Sequence, residues 1–478
     1  MHSEVRLHMP AVPHALMSAK GSSCAFQTKV RNFPKMMCPL GFEVFVYGVE
    51  GMELEAGRAV EIMPKETWET LRVASCLHLK LAATREEAEA FVKDETKPVG
   101  ALANWDTPLY REFNDRFREA LMRNYRGATS DIVCLPFGKA HDLALAGLND
   151  YLLVESGIGY PDVTKRWRIF ESYAWLHTVT GLQNGQFGDN YHFVVPNYYV
   201  PAEWPLSLEP KIDTVGFLGR ICAEKGIAEI CALARQNQHV RFFICGQGDP
   251  KPWLHPDMNP HGNVIYHPPI SGAERGAFYG QCICSMSMTK FIEPFCGSAV
   301  EAQLCGTPVI CPDYGAFTET VEHTRTGMRC RTLADMQIGL ELARRGHFDR
   351  SYIRERAVRL YALENVAPRY AYAFHNILNV IRGPGWNAAE SYLSLLNPEL
   401  PPLDDERKAE ACADSALCPD CHCPVTKVVG TTDHSVGLPA PLAEVGQAAQ
   451  CSEAPEDLQV PDGAGGASPG ETCVVREC

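Results

Sequence analysis

Apolar residues in the first part of the chain alternate between the spacing of strands and the spacing of helices. Residues 5–10 and the run FEVFVYG have strand character, and residues 24–40 between them place their apolar side chains on one helical face. The alternation resumes at DIVCL, YLLVE and YHFVVPN. Because parallel strands need crossover connections, such units predict a parallel sheet with helices on both faces. Residues 50–129 give no clear order of elements.

A second series of strand and helix patterns follows a proline-rich segment. PNYYVPAEWPLSLEP contains four prolines and predicts an interdomain linker. Beyond it, the strand patterns DTVGFLG, HVRFFICG, NVIYH and CICSMSM alternate with helical patterns, and more helices follow at 352–381. We therefore predict two Rossmann-like, doubly wound α/β domains. The first spans residues 1–205, with the helices of residues 366–398 packing back on it, and the second spans residues 206–365.

The last eighty residues differ from the rest in composition. Residues 399–478 are rich in Pro, Gly, Ala, Ser and acids, and hold 15 acidic and 4 basic residues of a chain whose net charge is −14. This composition predicts a disordered tail. The remainder of the chain is nearly neutral, which argues against a nucleic-acid partner. CPDCHC in the tail could bind zinc with Cys412 or His422 as a further ligand, but unligated thiols are the favoured interpretation.

Composition also bears on the compartment. The chain contains no run of 18 apolar residues, so we predict no membrane span. The N-terminus lacks the pattern of a secretory signal. Thirteen of the 20 cysteines precede residue 400, many of them in apolar segments, where free cysteine behaves as a small hydrophobe. We therefore expect reduced thiols and a cytoplasmic protein. Peripheral contact with a membrane is left open.

The stretch FIEPFCGSAVEAQLCG holds two glutamates, eight residues apart, in apolar surroundings. Unpaired buried acids cost several kcal/mol, so both need partners. The pattern predicts a helix that begins at Gly297, with Glu301 in its early turns and Glu293 in the loop before it. Unsatisfied amides at Gly297, Ser298 and Ala299 would then form an anion site. An anion site between two acids suits a nucleotide-sugar, which combines a diphosphate with hydroxyl groups.

This segment and its neighbours resemble the retaining glycosyltransferases of the GT-B fold, most of all family 4. The two glutamates match the E-x7-E signature of that family. GRICAEKG resembles its G-R-x(3)-E-K-G donor loop, and CGQGD resembles its G-x-G turn. EAQLCGTPVICPDYGAFTE resembles the block that follows the signature. These motifs occur in the family's order between about Asp213 and Gly327.

The resemblance implies a role for each matching residue. Arg220 and Lys225 would clamp the donor diphosphate, and Glu293 would contact the transferred sugar, so these three form the predicted catalytic set. PISG would contact the base. Retention of configuration by a hexosyltransferase-type enzyme is implied, without a side-chain nucleophile. Because the chain has no Asp-x-Asp pair, we expect no metal and no cofactor. The predicted donor-binding residues are Glu301, which would bind the ribose, with Gly219, Gly246, Gly297, Ser298 and Ala299.

The N-terminal half departs from the family pattern. AVPHALMSAKG lacks the paired glycines of the family's first loop, and VESGIGY lacks its histidine. Glu155, His14, His141 and His177 are candidates for acceptor chemistry, although a structural role is the commoner one for such histidines. The acceptor stays open between a glycan, a lipid and a protein. The alternative functions are a nucleotide-sugar epimerase or phosphorylase of this fold, and a catalytically weakened sugar-nucleotide-binding protein.

Overall fold

The computed structural model describes residues 5–18, 24–185, 187–210 and 213–383. The predicted disordered tail and its CPDCHC segment lie outside the described residues.

The first sheet is built from the N-terminal series of strands. Its strands are all parallel, and their order across the sheet is β3-β2-β1-β4-β5-β6-β7. The strands are β1 Arg6–Pro10, β2 Glu43–Val49, β3 Arg58–Met63, β4 Asp131–Leu135, β5 Leu153–Ile158, β6 Trp167–Phe170 and β7 His192–Val194. The helices of this region are α1 Ala25–Met37, α2 Lys65–His78, α3 Arg85–Lys93, α4 Pro108–Asn124, α5 Asp142–Leu145 and α6 Tyr173–Asn184.

The second sheet is also parallel, with the order β10-β9-β8-β11-β12-β13. Its strands are β8 Thr214–Leu218, β9 Arg241–Cys245, β10 Val264–His267, β11 Cys284–Met286, β12 Val309–Pro312 and β13 Gly327–Cys330. The helices are α7 Ile227–Gln236, α8 Lys251–Leu254, α9 Ala273–Gln281, α10 Gly297–Leu304, α11 Phe317–Thr320, α12 Leu333–Arg344, α13 Arg350–Tyr361 and α14 Leu363–Arg382. Short 3-10 helices lie at Cys38–Leu40, Val99–Leu102, Gly138–His141, Pro201–Glu203 and Ala223–Lys225.

Two parallel sheets of doubly wound type confirm the predicted fold class, because each sheet has its first strands at the centre and helices on both faces. In the first sheet, Leu7 is paired in register with Val44 and Ile132, and all three are buried in one cluster with α1 and α14. On the opposite face, Val133 and Tyr47 are buried with residues of α4.

Four strands, β3, β6, β12 and β13, were not predicted from the sequence, and β6 and β3 show the physical reasons. Strand β6, WRIF, is only four residues long and follows a run of charged residues, so its apolar pattern is weak. Strand β3 lies at the edge of its sheet, where Arg58 and Glu61 are exposed. An edge strand with one solvated side needs few apolar residues, and its pattern carries little signal.

Helix α14 packs on the first sheet rather than on the second. Its buried residues Val366, Tyr370, Phe374 and Ile377 belong to the cluster that contains Leu7. The chain therefore crosses between the two sheets twice, once through the linker before β8 and once before α14. The residue limits of the two domains stay a prediction.

The two crossings are hydrogen-bonded to each other. The amide of Tyr199 donates to the carbonyl of Tyr361 at 2.8 Å, and the amide of Leu363 donates to the carbonyl of Tyr199 at 3.0 Å. From α13, Arg354 donates to the carbonyls of Pro201 and Trp204. The linker thus has a fixed path beside the second sheet, which determines where its side chains lie.

Among the helices that the described residues form, none combines enough length and apolar character to cross a membrane.

Candidate functional site

The carboxyl ends of β8, β9 and β11 lie at one edge of the second sheet, which is where α/β folds bind their ligands. Two loops at this edge meet backbone to backbone. Gly246, at φ +149°, packs so closely that an added Cβ would lie 1.8 Å from the carbonyl oxygen of Gly219. The amide of Ile221 donates to the carbonyl of Gln247 at 2.7 Å. Glycine at 246 is therefore required by the contact between the loops.

The loop that carries Lys225 is also attached to the loop before α10. An added Cβ at Gly226 would lie 1.9 Å from the carbonyl oxygen of Met288. The carbonyl of Glu224 accepts hydrogen bonds from the amide of Lys290 at 2.8 Å and from the hydroxyl of Thr289 at 3.0 Å. These contacts hold Lys225 against the segment that contains the first glutamate of the pair.

Lys225 and Glu293, two of the three predicted catalytic residues, form an ion pair. Lys225 Nζ lies 2.5 Å from Glu293 Oε1, and the two side chains are 16% and 7% exposed. The pair supplies the partner that a buried carboxylate requires. Lys225 is thus bound to Glu293 in this state. The prediction was that Lys225 and Arg220 would both clamp the donor diphosphate, so the two cations differ here.

Arg220, the third predicted catalytic residue, is half-buried. Its guanidinium makes no hydrogen bond or ion pair with the described part of the chain. It follows β8 directly, one residue after Gly219, whose amide donates to the carbonyl of Cys245 at 3.0 Å. A positive charge at the ligand-binding edge of the sheet is therefore available to an anionic ligand.

Helix α10 begins at Gly297, as the sequence predicts. Within the described residues, the amides of Gly297 and Ser298 have no acceptor, so they face the site as free donors. The amide of Ala299 donates to the carbonyl of Cys296 at 3.1 Å. The expectation of a free amide at Ala299 is therefore wrong, because Cys296, at φ +62°, turns its carbonyl toward that amide.

The space beside Gly297 is occupied by a tyrosine from the linker. An added Cβ at Gly297 would lie 2.9 Å from the hydroxyl oxygen of Tyr199. No motif or periodicity in the sequence singles out Tyr199. A glycine at the start of a helix is a detectable signal of a close approach, but it does not tell which residue approaches.

Glu301 lies in α10 and is paired with Arg275 of α9 through Oε2. Burial raises the pKa of Glu301, and the guanidinium of Arg275 opposes that rise. Oε1 of Glu301 makes no hydrogen bond within the described part of the chain. Arg275 was missed in the sequence analysis, and no motif in its helix would have revealed it.

Near this pair, several buried polar atoms have no hydrogen-bond partner among the described residues. They include Nε of Arg275, the hydroxyl oxygen of Tyr279 and Nε1 of Trp204. Buried polar groups without partners are uncommon in folded proteins. Because several of them lie beside Glu301, this part of the sheet edge has hydrogen-bonding capacity that the described residues do not use.

The candidate histidines of the N-terminal half have structural surroundings. His14 lies within 2.6 Å of the Tyr110 hydroxyl, and His141 lies within 3.0 Å of Asn114 Oδ1. Both are buried, and burial lowers the pKa of each to about 3. They are therefore neutral at physiological pH. His177 is exposed on α6.

Glu155 is likewise enclosed by the protein itself. It accepts hydrogen bonds from the Tyr160 hydroxyl at 2.7 Å and from the amides of Thr164 and Lys165 at 2.6 Å each. Burial raises the pKa of this carboxyl. Its accepting groups are used for folding, so it has no evident role in acceptor chemistry.

The start of α6, from the first sheet, touches the loop that contains Glu293. The hydroxyl of Ser172 donates to the carbonyl of Pro294 at 2.6 Å. The carboxylate of Glu319 accepts from the amides of Tyr173 at 3.0 Å and Ala174 at 2.8 Å. These contacts join the two sheets next to the ion pair of Glu293.

Among the described residues, no group of three or more His, Cys, Asp and Glu side chains could hold a metal ion. The expectation that no metal is needed stays a prediction.

The residues of this sheet edge lie in a segment that matches a known protein family. Residues 204–338 match the model of the family described as Glycosyl transferases group 1. The matched segment contains every residue of the predicted catalytic and donor-binding sets.

Curated relatives match about a quarter of the chain. A GDP-mannose-dependent alpha-mannosyltransferase of Mycolicibacterium smegmatis is 31% identical over 119 residues, which is 24% of this chain and 29% of the relative. A D-inositol 3-phosphate glycosyltransferase of Pseudarthrobacter chlorophenolicus is 29% identical over 144 residues, 28% of this chain and 34% of the relative. The matches therefore span about a third of the length of these relatives.

Solved structures resemble a much larger part of the chain. Sucrose-phosphate synthase from Thermosynechococcus elongatus aligns with a TM-score of 0.55 and 15% identity, and covers 78% of this chain and 99% of its own. Alr3699/HepE of Anabaena, in complex with UDP and glucose, aligns with a TM-score of 0.53 and 13% identity, and covers 78% and 100%. Together with the two parallel sheets, this similarity confirms the predicted GT-B fold.

Proposed function

We propose that this protein is a glycosyltransferase that moves a sugar from a nucleotide-sugar to an acceptor. The observation that carries the proposal is the set of groups at the edge of the second sheet: two free amides at the start of α10, the unpaired Arg220, and two ion-paired glutamates on either side. This combination suits a ligand that has both a diphosphate and hydroxyl groups. The match to Glycosyl transferases group 1 over residues 204–338 supports it.

In this proposal the donor lies along α10. The amides of Gly297 and Ser298 and the guanidinium of Arg220 bind the diphosphate, where charge develops as the sugar leaves. Oε1 of Glu301 accepts from the ribose hydroxyls, and the pair of Lys225 and Glu293 contacts the transferred sugar. These assignments follow the family resemblance together with the partners each group has or lacks.

We further propose the chemistry of a retaining, family 4 hexosyltransferase. The bond between the anomeric carbon of the sugar and the diphosphate oxygen breaks, and a bond to the acceptor oxygen forms on the same face. The acceptor proton passes to an oxygen of the departing diphosphate, so the reaction balances without a protein nucleophile. The buried, neutral His14 and His141 and the fully engaged Glu155 fit a mechanism that does not use them as bases.

GDP-mannose is the first donor to test, since two of the relatives that match this chain are named as GDP-mannose-dependent mannosyltransferases. The acceptor stays open between a glycan, a lipid and a protein. The alternatives of an epimerase and of a non-catalytic binding protein are less well supported, because the curated relatives that match part of the chain are named as mannosyltransferases and a glycosyltransferase.

The proposal is tested by binding and by product analysis. Purified full-length protein is titrated by calorimetry with GDP-mannose, UDP-glucose and ADP-glucose, and donor turnover is followed by release of the nucleoside diphosphate. We expect one donor class to bind, and the product to keep the anomeric configuration in its NMR spectrum. A protein that binds none of the three donors, or that inverts the anomeric centre, would contradict the corresponding part of the proposal.

A further inference from the structure

Tyr199 holds a fixed position between the two sheets. Its backbone is hydrogen-bonded to Tyr361 and Leu363 on the returning chain. Its ring stacks on that of Phe295, with centroids 6.5 Å apart and an angle of 19°, and packs edge-on against Trp204. The residue is only 8% exposed. The backbone and the ring of Tyr199 are therefore both held in place, and its hydroxyl has little freedom to move.

The hydroxyl of Tyr199 makes no hydrogen bond with any described residue, although the residue is more than nine-tenths buried. It lies at the first residue of α10, 2.9 Å from the place of a Cβ on Gly297. The neighbouring Tyr198 is different, because its hydroxyl donates to the carbonyl of Lys29 at 3.0 Å. A hydroxyl that has no protein partner and lies beside two free amides can donate to a ligand that binds there.

The carboxylates near this hydroxyl are neutralised by cations, so they do not exclude an anionic acceptor. The nearby carboxylates of Glu171 and Glu301 are each paired with a cation, Lys29 and Arg275 respectively. Burial raises the pKa of Tyr199 well above its usual range, and Glu301 and Glu171 raise it further. The phenol therefore stays protonated at neutral pH and acts only as a donor toward an anion.

We propose that Tyr199 donates a hydrogen bond to the diphosphate of the nucleotide-sugar, alongside the amides of Gly297 and Ser298. The inference rests on the proposed function and adds a donor from the linker, outside the motifs of the family. During transfer the tyrosine keeps its proton. It stabilises the charge that the diphosphate gains when its bond to the sugar breaks, while the acceptor proton goes to the diphosphate itself.

Two conservative variants separate this role from a structural one. Tyr199→Phe removes only the hydroxyl and keeps the stacked ring. Tyr198→Phe is the matched control, because it removes the adjacent hydroxyl, whose partner is the carbonyl of Lys29. Calorimetry of the full-length protein with UDP, GDP and ADP identifies the nucleoside diphosphate that binds, and the corresponding nucleoside is the phosphate-free probe.

We expect Tyr199→Phe to weaken binding of the nucleoside diphosphate about 10- to 100-fold, as for one hydrogen bond to a charged group, with nucleoside binding unchanged. Tyr198→Phe should keep the wild-type affinity for both. Unchanged diphosphate affinity in Tyr199→Phe, or an equal loss for the nucleoside, would overturn the role of Tyr199 and leave the proposed function standing. Wild-type protein that binds no nucleoside diphosphate would overturn both.

A second variant tests the contact from the other side. The methyl group of Gly297→Ala would lie 2.9 Å from the hydroxyl oxygen and displace it. We expect Gly297→Ala to weaken diphosphate binding in the wild-type background, and to add much less to the loss in the Tyr199→Phe background. Fully additive losses would contradict the proposal, since residues that act together are non-additive. Thermal unfolding of each variant establishes that the loss of affinity occurs in folded protein.

Discussion

The carboxyl edges of the two sheets carry polar groups that differ in how they are satisfied. At the first edge, His14 and Glu155 are buried and bonded to neighbouring side chains and amides of the protein. His141 is bonded through Nδ1, while its Nε2 has no partner among the described residues. At the second edge, Arg220 and the first two amides of α10 have no partner in the described part of the chain. Polar residues alone therefore do not distinguish a site from a core.

Unsatisfied polar atoms occur at both edges, so they do not by themselves mark a ligand site. A buried polar group that is already bonded contributes to folding, and it must lose that bond before it can bind anything else. A donor that has no protein partner gives up only its hydrogen bond to water when a ligand accepts from it. The second edge combines two free amides with an unpaired cation, and this combination suits an anion.

The largest expected effect is the loss of folding stability at low pH, which arises from histidines at the first edge. The pKa of His14 and of His141 is lowered to about 3 by burial, so the unfolded chain binds protons first as the pH falls. Their stability contribution is fully present above about pH 6.5 and is lost between there and about pH 3. We expect the free energy of unfolding, measured by urea unfolding, to fall by about 2 kcal/mol for each histidine from pH 7 to 5, as the slope approaches about 1.4 kcal/mol per pH unit.

The control for the acid effect is His141→Gln, which keeps a polar group but does not titrate. Its slope of stability against pH should be about half that of the wild-type protein. A wild-type free energy that is constant from pH 7 to 5 would show that these histidines are not held neutral.

The second largest effect compares two cations of the second edge. Lys225→Met leaves Glu293 buried without its partner, so we expect a loss of about 3 kcal/mol in the free energy of unfolding. Arg220→Met breaks no described contact, and its stability should stay within about 0.5 kcal/mol of wild type. Arg220→Met should instead weaken donor binding by about 1–3 kcal/mol. Urea unfolding and calorimetry give the two quantities.

The double variant Lys225→Met/Glu293→Gln is the control for the buried charge. It should recover most of the stability lost in Lys225→Met, because the carboxylate that lacked a partner is gone. If Lys225→Met and Arg220→Met were equally stable, Lys225 would not be the cation that stabilises the buried Glu293.

A smaller effect separates the two glutamates. Glu293→Gln keeps the shape of the side chain, so turnover should fall about tenfold while donor affinity changes less. Glu301→Gln should weaken binding of the nucleoside diphosphate itself, with or without the sugar. Steady-state kinetics and calorimetry measure the two responses, and a wild-type turnover in Glu293→Gln would remove this residue from the catalytic set.

The smallest expected effect is that of chelation. Arg220 and the free amides of α10 are donors that are in place before the donor binds, so initial rates should be the same in excess EDTA after the protein has been stripped of metal. The rates are then measured with Mg²⁺ and Mn²⁺ added back. Loss of activity in EDTA, with recovery on adding a metal, would show that the second edge needs an ion to balance the diphosphate.

Local patterns were sufficient to predict much of this fold. Strands such as β2, β4 and β9 are buried runs with clear apolar periodicity, and α10 begins at the residue where its pattern begins. The short strands β6, β12 and β13 and the edge strand β3 were missed, because none of them needs a pattern that stands out from a loop.

Local features follow from the amino-acid sequence: where buried strands and helices form, and that two acids in an apolar segment need partners. The identity of those partners depends on tertiary packing. Glu293 pairs with Lys225, 68 residues away, and Glu301 with Arg275, 26 residues away. Tertiary packing likewise brings the hydroxyl of Tyr199 from the linker to the start of α10. Such contacts depend on how distant segments pack around the sheets, and no local periodicity encodes them.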